Sequence, residues 1–250
     1  MITYIITGVS KGLGESLARQ VMKPDHLLIC LSRRENQKLI DEAREAGCEI
    51  VYYTCDLSDQ EAISDVTNRL LKETSISQSE RLVLINNAGI VEPIKKIGYA
   101  EAGDLAQNIQ VNLIAPMILM NWFIQTFSDH PAQKQVANVS SGAGTNPYHG
   151  WAAYCSSKAG LDMFTRTVAI EQEHDPHPTE VMAFSPGVMD TEMQGQIRAA
   201  DEDNFSQVSQ FREYKEKGLL RTPELVASRL LDLLDKGFES GRVYSIQELL

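Results

Sequence analysis

Tyr154 and Lys158 are the residues whose types and spacing best suit chemistry. They form a Tyr-x3-Lys pair in a stretch of helical periodicity that begins near Trp151. Residues four apart lie on one face of a helix, so the ammonium group can approach the phenol. A tyrosine with its usual pKa of about 10 exchanges protons poorly at neutral pH, and a fixed positive charge favours the phenolate. The pair predicts a proton donor whose pKa is lowered, although the same spacing also occurs in ordinary surface pairs.

Three strand-like runs end in polar or turn-forming residues. Asn86-Asn87-Ala88-Gly89 ends one run, Val139-Ser140-Ser141-Gly142 the next, and Pro186-Gly187-Val188-Met189-Asp190-Thr191 follows a third. Open α/β sheets bind ligands beyond the carboxyl ends of their strands. We therefore expect these residues, with Asn112 in the helix after the first run, to share one edge of the sheet with Tyr154.

A glycine-rich turn, Thr7-Gly8-Val9-Ser10-Lys11-Gly12-Leu13-Gly14, follows the first strand-like run and opens the first helix. Glycines in this place allow close approach of a pyrophosphate, whose charge meets backbone N–H groups and the helix N-terminus. The same residues contain Gly-x-Ser-x-Gly, the elbow of serine hydrolases, but that elbow needs several preceding strands and only one precedes Ser10. We therefore interpret the turn as a dinucleotide site, although its spacing differs from the common Gly-x-Gly-x-x-Gly.

The end of the second strand-like run bears on the choice between NAD and NADP. An acidic residue at this point binds the ribose 2′-hydroxyl of NAD in dinucleotide folds. This chain has Ser32 followed by Arg33 and Arg34, and Lys11 lies in the glycine turn. Serine and arginine bind a 2′-phosphate, which a carboxylate would repel. We predict NADP(H) as the cofactor.

The elements that must position these residues alternate between short apolar runs and longer amphipathic stretches. This order predicts an α/β fold, a Rossmann-like doubly wound parallel sheet of about seven strands with helices on both faces. We predict a single domain over residues 1–250, in which a segment at about 189–217 covers the substrate. The predicted strands are Ile2–Ile6, Leu27–Leu31, Ile50–Thr54, Leu82–Ile85, Val136–Val139, Val181–Phe184 and Arg242–Ile246, and the predicted helices are Gly12–Met22, Glu35–Ala46, Asp59–Thr74, Gly103–Phe127, Trp151–Gln172 and Pro223–Lys236.

The composition is that of an ordinary globular chain: 250 residues, 43% hydrophobic and 23% charged, with a formal net charge of −11 at pH 7. Such a negative field repels phosphate backbones and anionic lipid surfaces, so we expect neither a nucleic acid nor a membrane partner. No apolar run reaches the ~18 residues of a membrane span, and the N-terminus lacks a targeting pattern. We expect a cytoplasmic protein.

Cysteines and histidines predict structure more than chemistry. No two cysteines form a Cys-x-x-Cys pair. His26 and His149 are expected in loops or at the surface. His174 and His177 flank a turn-forming Asp-Pro pair without an apparent third ligand, so we predict no metal site. Three cysteines in or beside strand-like runs are expected to be buried thiols: Cys30, Cys48 and Cys55.

Over essentially its whole length the chain resembles the classical group of the short-chain dehydrogenase/reductase family. Residues 7–14, 86–89 and the Tyr154–Lys158 pair match the family's motifs, and the family's catalytic serine lies 13 residues before the tyrosine, which selects Ser141. The resemblance implies carbonyl reduction by NADPH with Tyr154 as the proton donor. It implies as catalytic residues Ser141, Tyr154, Lys158 and Asn112, and as cofactor-binding residues Gly8, Ser10, Lys11, Gly12, Leu13, Gly14, Ser32, Arg33, Asp56, Leu57, Asn87, Ala88, Gly89, Tyr154, Lys158, Pro186, Val188 and Thr191.

Within the family the chain resembles bacterial benzil reductases that form (S)-benzoin, and sepiapterin reductases. The latter carry a pterin-anchoring aspartate near the C-terminus, where this chain has Ser245, with Glu248 nearby. We therefore expect a small carbonyl substrate, a ketone or an aryl 1,2-diketone reduced to an (S)-hydroxy ketone, with pterin side-chain reduction as the alternative. The expected substrate residues are Ser141, Tyr148, Trp151, Tyr154, Met189 and Met193.

Two other protein classes use related folds. A cofactor-sensing protein would typically have lost the tyrosine or the lysine, and an extended epimerase needs a larger C-terminal region than the roughly 60 residues after Gly187. Both are disfavoured. The helices at 103–127 and 151–172 resemble the family's dimerisation helices, so we expect a homodimer, with a tetramer as the alternative.

Overall fold

Seven parallel strands form one sheet in the order β3-β2-β1-β4-β5-β6-β7. The computed structural model describes all 250 residues. The chain starts at the centre of the sheet with β1, builds outward through β2 and β3, and then crosses back to β4 on the other side of β1. This reversal confirms the doubly wound fold. The strands are β1 Ile2–Thr7, β2 His26–Ser32, β3 Glu49–Thr54, β4 Arg81–Asn86, β5 Gln133–Val139, β6 Thr179–Ser185 and β7 Val243–Ser245.

The helices cover both faces of this sheet, and capping residues set several of their ends. Asp59 begins the third helix by accepting hydrogen bonds from the backbone N–H groups of Glu61 and Ala62. Thr222 caps the last helix, whose first residue is Pro223. The helices are α1 Gly12–Gln20, α2 Gln37–Glu45, α3 Gln60–Glu73, α4 Ala102–Ile109, α5 Ala115–Thr126, α6 Ala152–Gln172, α7 Glu192–Arg198, α8 Val208–Glu216 and α9 Pro223–Lys236.

The predicted continuous helix over 103–127 is interrupted. A π-helical turn at Gln110–Ile114 separates α4 from α5. Pro116 lacks the N–H group that a regular α-helix would bond to the carbonyl group of Asn112, and this explains the change of hydrogen-bond pattern there. The interruption falls on a predicted catalytic residue, because Asn112 lies within the π turn.

The segment between β6 and α9 is more ordered than its polar sequence indicated. It folds into α7 and α8, which contact each other. Their buried side chains are few: Gln194 and Ile197 in α7, and Val208 and Phe211 in α8. Too few apolar positions recur in such short helices to give a readable period.

The two faces of the sheet bury separate apolar clusters. Ile6 packs with α1 and α9, whereas its neighbour Ile5 packs with α3 and α5, because successive side chains of a strand point to opposite faces. The three cysteines expected to be buried are buried. The expectation for His26 is wrong: it is 4% exposed, and its Nδ1 forms a 2.6 Å hydrogen bond with the carbonyl oxygen of Val21.

A buried lysine lies at the start of β5. Lys134 is 1% exposed, and its ammonium group donates to the carbonyl oxygens of Phe127 at 2.9 Å, Ser128 at 3.4 Å and His130 at 3.1 Å. These carbonyl groups belong to the chain just after α5, where only that of Phe127 has a backbone donor, the N–H group of His130 at 3.1 Å. Lys134 thus caps the C-terminal end of α5.

None of the helices has both the length and the apolar character needed to cross a bilayer.

Candidate active site

The glycine turn packs so tightly that side chains are excluded at two positions. Gly8 has a φ of +73°, a backbone conformation that favours glycine. A Cβ atom at Gly14 would lie 2.3 Å from the carbonyl oxygen of Gly8 and 2.5 Å from Nδ2 of Asn87. The turn therefore leaves bare backbone in front of the N-terminus of α1, which is the arrangement that accepts a pyrophosphate.

Lys11 extends from this turn across to the segment after β6. Its ammonium group forms an ion pair with Glu192, the first residue of α7, and both side chains are largely exposed. The neighbouring predicted residues differ in exposure: Leu13 is buried, and Ser10 is half-buried. Glu192 was not predicted as a site residue, because no local spacing relates residues 11 and 192.

Two arginines follow the end of β2, in a turn that side-chain hydrogen bonds hold in place. Ser32 is 6% exposed, and its hydroxyl group donates to the carbonyl oxygen of Arg34 at 2.7 Å. The Tyr52 hydroxyl group donates to the same oxygen at 2.8 Å. Arg33 and Arg34 are exposed. Ser32 thus supports the arginine turn, and the guanidinium groups point to solvent at this edge of the sheet.

Asp56 and Leu57 follow β3 beside these arginines. The Asp56 carboxylate accepts hydrogen bonds from the backbone and the side chain of Ser58, at 2.9 and 2.8 Å. These bonds lower the pKa of Asp56 against a rise due to burial, and the charge of Arg33 lowers it further. Leu57 is 7% exposed and belongs to the apolar cluster of α3 and α5.

The residues after β4 form hydrogen bonds with Thr7, where the glycine turn begins. Thr7 Oγ1 accepts hydrogen bonds from the backbone N–H groups of Asn87 and Ala88, both at 3.0 Å. The Asn87 amide group donates to the Thr7 carbonyl oxygen at 2.8 Å. A Cβ atom at Gly89 would lie 3.2 Å from Oδ1 of Asn112 and 3.6 Å from Nζ of Lys158. Gly89 therefore lies next to the side chains of both Asn112 and Lys158.

Asn112 is fully buried and held on two sides. Its Oδ1 accepts from the backbone N–H group of Ile90, and its Nδ2 donates to the Ile90 carbonyl oxygen, both at 2.8 Å. Nδ2 also contacts Oδ1 of Asn108 at 3.1 Å and Oγ of Ser157 at 3.3 Å. The side chain thus links the π turn, the irregular segment after β4 and α6.

Ser141, Tyr154 and Lys158 come together beyond the end of β5. Ser141 lies just after the strand, where its Oγ accepts from the Ala143 N–H group at 3.2 Å. Lys158 is 4% exposed and donates to the Val139 carbonyl oxygen at 2.8 Å, with its ammonium group 5.8 Å from the centre of the Tyr154 ring. The three residues that the sequence selected are therefore neighbours.

The electrostatics of this group differ from the prediction. Burial raises the pKa of Tyr154, and a hydrogen bond with the Ser141 side chain opposes that rise. Burial lowers the pKa of Lys158 to about 8, while the charge of Asp162 acts in the opposite direction. The expected lowering of the Tyr154 pKa is absent because the tyrosine is buried, and desolvation has the largest effect on its pKa.

That aromatic cluster comprises Trp151, Tyr154, Phe205 and Phe211. Trp151 stacks on Phe205 with ring centres 4.7 Å apart and an interplanar angle of 15°, and it meets Tyr154 edge-on at 5.5 Å. Tyr148 lies 5.0 Å from Trp151 on the outer side. Phe211 packs on both Trp151 and Phe205 at 5.5 Å. The chain between α7 and α8 therefore packs on Trp151, which in turn contacts Tyr154.

The residues after β6 begin this covering segment, and backbone contacts with Arg221 hold them in place. Met189 pairs with Arg221 through a β-bridge, and the Val188 carbonyl oxygen accepts from the Arg221 N–H group at 3.1 Å. Thr191 begins α7 by accepting from the Gln194 N–H group. Met193 packs beside the aromatic cluster. Pro186 is buried. All the predicted residues of this stretch lie between the glycine turn and the aromatic cluster.

The sequence placed Phe205 among the apolar residues expected around the reacting carbonyl group, but it did not identify Phe211, Glu192 or Asp162 with the site. Phe205 and Phe211 interrupt an otherwise polar stretch, which was the available signal. Glu192 becomes adjacent to Lys11 only through tertiary packing, whereas Asp162 lies one helical turn from Lys158, and that four-residue spacing was an available signal.

A dinucleotide fits the residues at this edge. The closely packed glycine turn, the exposed arginines after β2 and the half-buried residues after β4 and β6 all follow the carboxyl ends of parallel strands, at the same edge of the sheet as Ser141. The adenine nucleotide of a dinucleotide would meet the residues after β2 and β3, its pyrophosphate the glycine turn, and its nicotinamide the residues after β4 and β6.

The fold and this site define a reductase of the short-chain type, and the family described as short chain dehydrogenase matches residues 3–202. The chain belongs to that family. It is an oxidoreductase that acts on CH–OH and C=O groups, a carbonyl reductase, and the family uses NAD(H) or NADP(H).

Individual relatives agree with this assignment. The chain is 44% identical over 250 residues to benzil reductase ((S)-benzoin forming) of Bacillus subtilis (strain 168), covering 100% of both chains. It is 31% identical to sepiapterin reductase of Xenopus laevis, covering 96% of this chain and 93% of the relative. The crystal structure of the KRED1-Pglu enzyme matches with a TM-score of 0.83 and 27% identity, covering 98% of this chain and 100% of that one. The predicted resemblance is confirmed.

Proposed function

We propose that this chain is an NADPH-dependent reductase of aryl 1,2-diketones of the benzil type, which it converts to an (S)-hydroxy ketone. The observation that carries the proposal is the aromatic cluster around Tyr154, in which Trp151 lies 5.5 Å from the tyrosine ring and stacks on Phe205. Aromatic side chains bind flat aryl groups through stacked or edge-on contacts. The 44% identity to a benzil reductase supports the same substrate class.

In this proposal Tyr154 donates a proton to the carbonyl oxygen as that oxygen gains negative charge. Ser141 donates a hydrogen bond to the same oxygen and stabilises the developing charge. Bound NADPH supplies the hydride for the carbonyl carbon. Lys158 uses one of its three N–H donors on Val139, so the others remain for Tyr154 and the nicotinamide ribose. Asn112, whose side chain is held by Ile90, is assigned to the relay that would resupply the proton.

The alternative substrate, a pterin, has less support from the C-terminal residues. Ser245 stands where sepiapterin reductases carry an aspartate. Glu248, the nearby carboxylate, accepts hydrogen bonds from the Ser245 N–H group at 3.0 Å and from Arg242 at 2.6 Å. Both bonds compete with anchoring of a pterin edge.

A substrate panel tests the proposal. Purified protein is incubated with NADPH and, separately, with benzil, 1-phenyl-1,2-propanedione or sepiapterin, and both NADPH oxidation and the configuration of the product are measured. We expect turnover of the two diketones with formation of (S)-hydroxy ketones. Tyr154→Phe is the matched control: it retains NADPH binding and loses turnover. Turnover of sepiapterin alone would overturn the substrate assignment, and substantial activity of the control would overturn the role of Tyr154.

The preference for NADPH over NADH rests on Arg33 and Arg34, with Lys11 and Ser32 beside them. Arg33 lies close enough to Asp56 to lower its pKa, and Arg34 does the same for Glu192. Two positive charges thus flank the place where a ribose 2′-phosphate would lie. Arg33→Ala is expected to weaken NADPH binding about tenfold or more while NADH binding changes little. Equal losses for both cofactors in a fluorescence titration would contradict this assignment.

The proposed assembly is a homodimer formed through α5 and α6. Met163 is 59% exposed and Ile170 66% exposed, and the two side chains lie on the outer face of α6. Exposed apolar side chains in a row are typical of a covered surface. Light scattering on the eluting protein is expected to give the mass of two chains, and Met163→Glu to shift it toward one.

A further inference from the structure

Asp162 is a buried carboxyl group that the reaction described above does not use. It lies one helical turn beyond Lys158 on α6, so that Tyr154, Lys158 and Asp162 occupy one face at four-residue intervals. Asp162 is 4% exposed, and neither of its oxygens has a protein hydrogen-bond donor at regular geometry. Burying a carboxyl group without hydrogen-bond donors costs free energy, so the position of Asp162 needs an explanation.

The loop that carries Ser141 is packed directly on this carboxyl group. A Cβ atom at Gly144 would lie 2.5 Å from Oδ2 of Asp162 and 3.2 Å from the carbonyl oxygen of Lys158. Gly144 is therefore in contact with the turn of α6 between Lys158 and Asp162. Ser140, 2% exposed, has its hydroxyl group close enough to lower the pKa of Asp162. The loop thus meets the carboxyl group at residues on both sides of Ser141.

The charges around Asp162 come from its own helix. Lys158 and Arg166 on α6 lower the pKa of the carboxyl group, and the Ser140 hydroxyl group is the polar neighbour from the loop. Burial has the larger effect and raises that pKa. In return, the Asp162 charge raises the pKa of Lys158. The carboxyl group is therefore coupled both to the position of the loop and to the protonation of the lysine.

We propose that Asp162 is a positioning residue: its carboxyl group joins the turn of α6 that carries Lys158 to the loop that carries Ser141, and it fixes the separation of these two groups. The proposal rests on the proposed function only in requiring Ser141 and Lys158 to act on a carbonyl substrate. Asp162 itself contacts neither substrate nor cofactor.

Two variants test the role. Asp162→Asn keeps the shape and an acceptor for Ser140 but removes the charge beside Lys158. We expect it to lower kcat about threefold to tenfold and to move the alkaline limb of the kcat profile to lower pH, because Lys158 then loses its proton more easily. Asp162→Ala also removes the support of the loop. We expect a fall in kcat of about 100-fold, the size of effect produced by misplacing a catalytic group by 1 Å. KM for NADPH is expected to stay within about twofold in both variants.

Thr165→Val is the matched control, because Thr165 is buried on the same helix and accepts a 2.9 Å hydrogen bond from Asn138, away from the loop. It is expected to lower Tm while kcat and the pH profile stay those of the wild type. If Asp162→Ala behaves in the same way, or if Asp162→Asn leaves the pH profile unchanged, the positioning role is excluded. Asp162→Asn preserves the volume of the side chain, so it decides the question even if Asp162→Ala does not fold.

Gly144→Ala provides an independent test, because its methyl group would collide with the Asp162 carboxyl group. We expect the single variant to lose at least about tenfold in kcat, and the double variant Asp162→Ala/Gly144→Ala to lose less than the product of the two single losses. Strictly multiplicative losses would contradict the contact. All variants are assayed with whichever carbonyl compound of the panel the wild type reduces, so failure of benzil as a substrate leaves this test intact.

Discussion

Lys134 and Lys158 are both buried ammonium groups, and they bond to backbone carbonyl groups near opposite ends of β5. Lys134 donates to three carbonyl oxygens after α5, which uses every N–H group it has. Lys158 donates to one, that of Val139. A buried cation is stable when its hydrogen bonds are complete. Burial lowers the pKa of both lysines, but Lys134 has all its donors in use and is therefore a structural group, whereas Lys158 retains donor capacity beside Tyr154, which is a property of a catalytic site.

The largest effect that separates the two lysines is expected for Lys158→Met. Removing the charge and the donors beside Tyr154 should lower kcat by roughly 10²–10⁴-fold, the usual range for loss of assisted proton transfer. The measurement is NADPH oxidation with the preferred carbonyl substrate. Stability should fall only modestly, because one carbonyl group, that of Val139, loses its donor and Asp162 loses one of the two positive charges beside it. A variant that retains a tenth of the wild-type kcat would contradict the assignment.

Lys134→Met should have the opposite effect. Three carbonyl groups at the end of α5 lose their donor, so the free energy of unfolding should fall by about 3 kcal/mol. Urea denaturation measures this as a lower midpoint with an unchanged slope. The kcat of the folded variant should stay within about twofold of the wild type, and a larger loss would mean that this end of β5 influences the chemistry.

The smallest of the three effects is a dependence on pH. Burial lowers the pKa of Lys158 to about 8, so kcat should decline above that pH as the ammonium group loses its proton. The unfolded chain binds this proton more tightly, so the cost of burying the charge is present below pH 8 and is relieved as the pH rises toward the unfolded pKa of about 10.4. Lys134→Met should retain the decline in kcat. A profile that is flat to pH 9.5 in the wild type would contradict the assigned cause.

The sequence predicted the parts of the site that depend on local spacing. Tyr154 and Lys158 are one helical turn apart, and Ser141 and Asn87 follow strands, so their meeting at one edge follows from the parallel order of the sheet. The fold was predictable for the same reason, because apolar strands and amphipathic helices alternate along the whole chain.

What the sequence did not predict depends on contacts between distant segments. The carbonyl partners of Lys134 are backbone atoms of a loop, which no residue pattern encodes. The direction of the Tyr154 pKa shift was predicted wrongly because its burial is a tertiary effect. The break between α4 and α5 was missed, although Pro116 was its visible sign.

The stacking of Trp151 on Phe205 has a spectroscopic consequence. The chain contains two tryptophans, and the other, Trp122, lies on α5, where its ring meets Phe127 edge-on at 6.0 Å. In a Trp122→Phe protein, all indole fluorescence would come from the residue beside Tyr154. Its emission would then report directly on the separation of the covering segment from α6, and its energy transfer to a reduced nicotinamide would report occupancy of the site without any added dye.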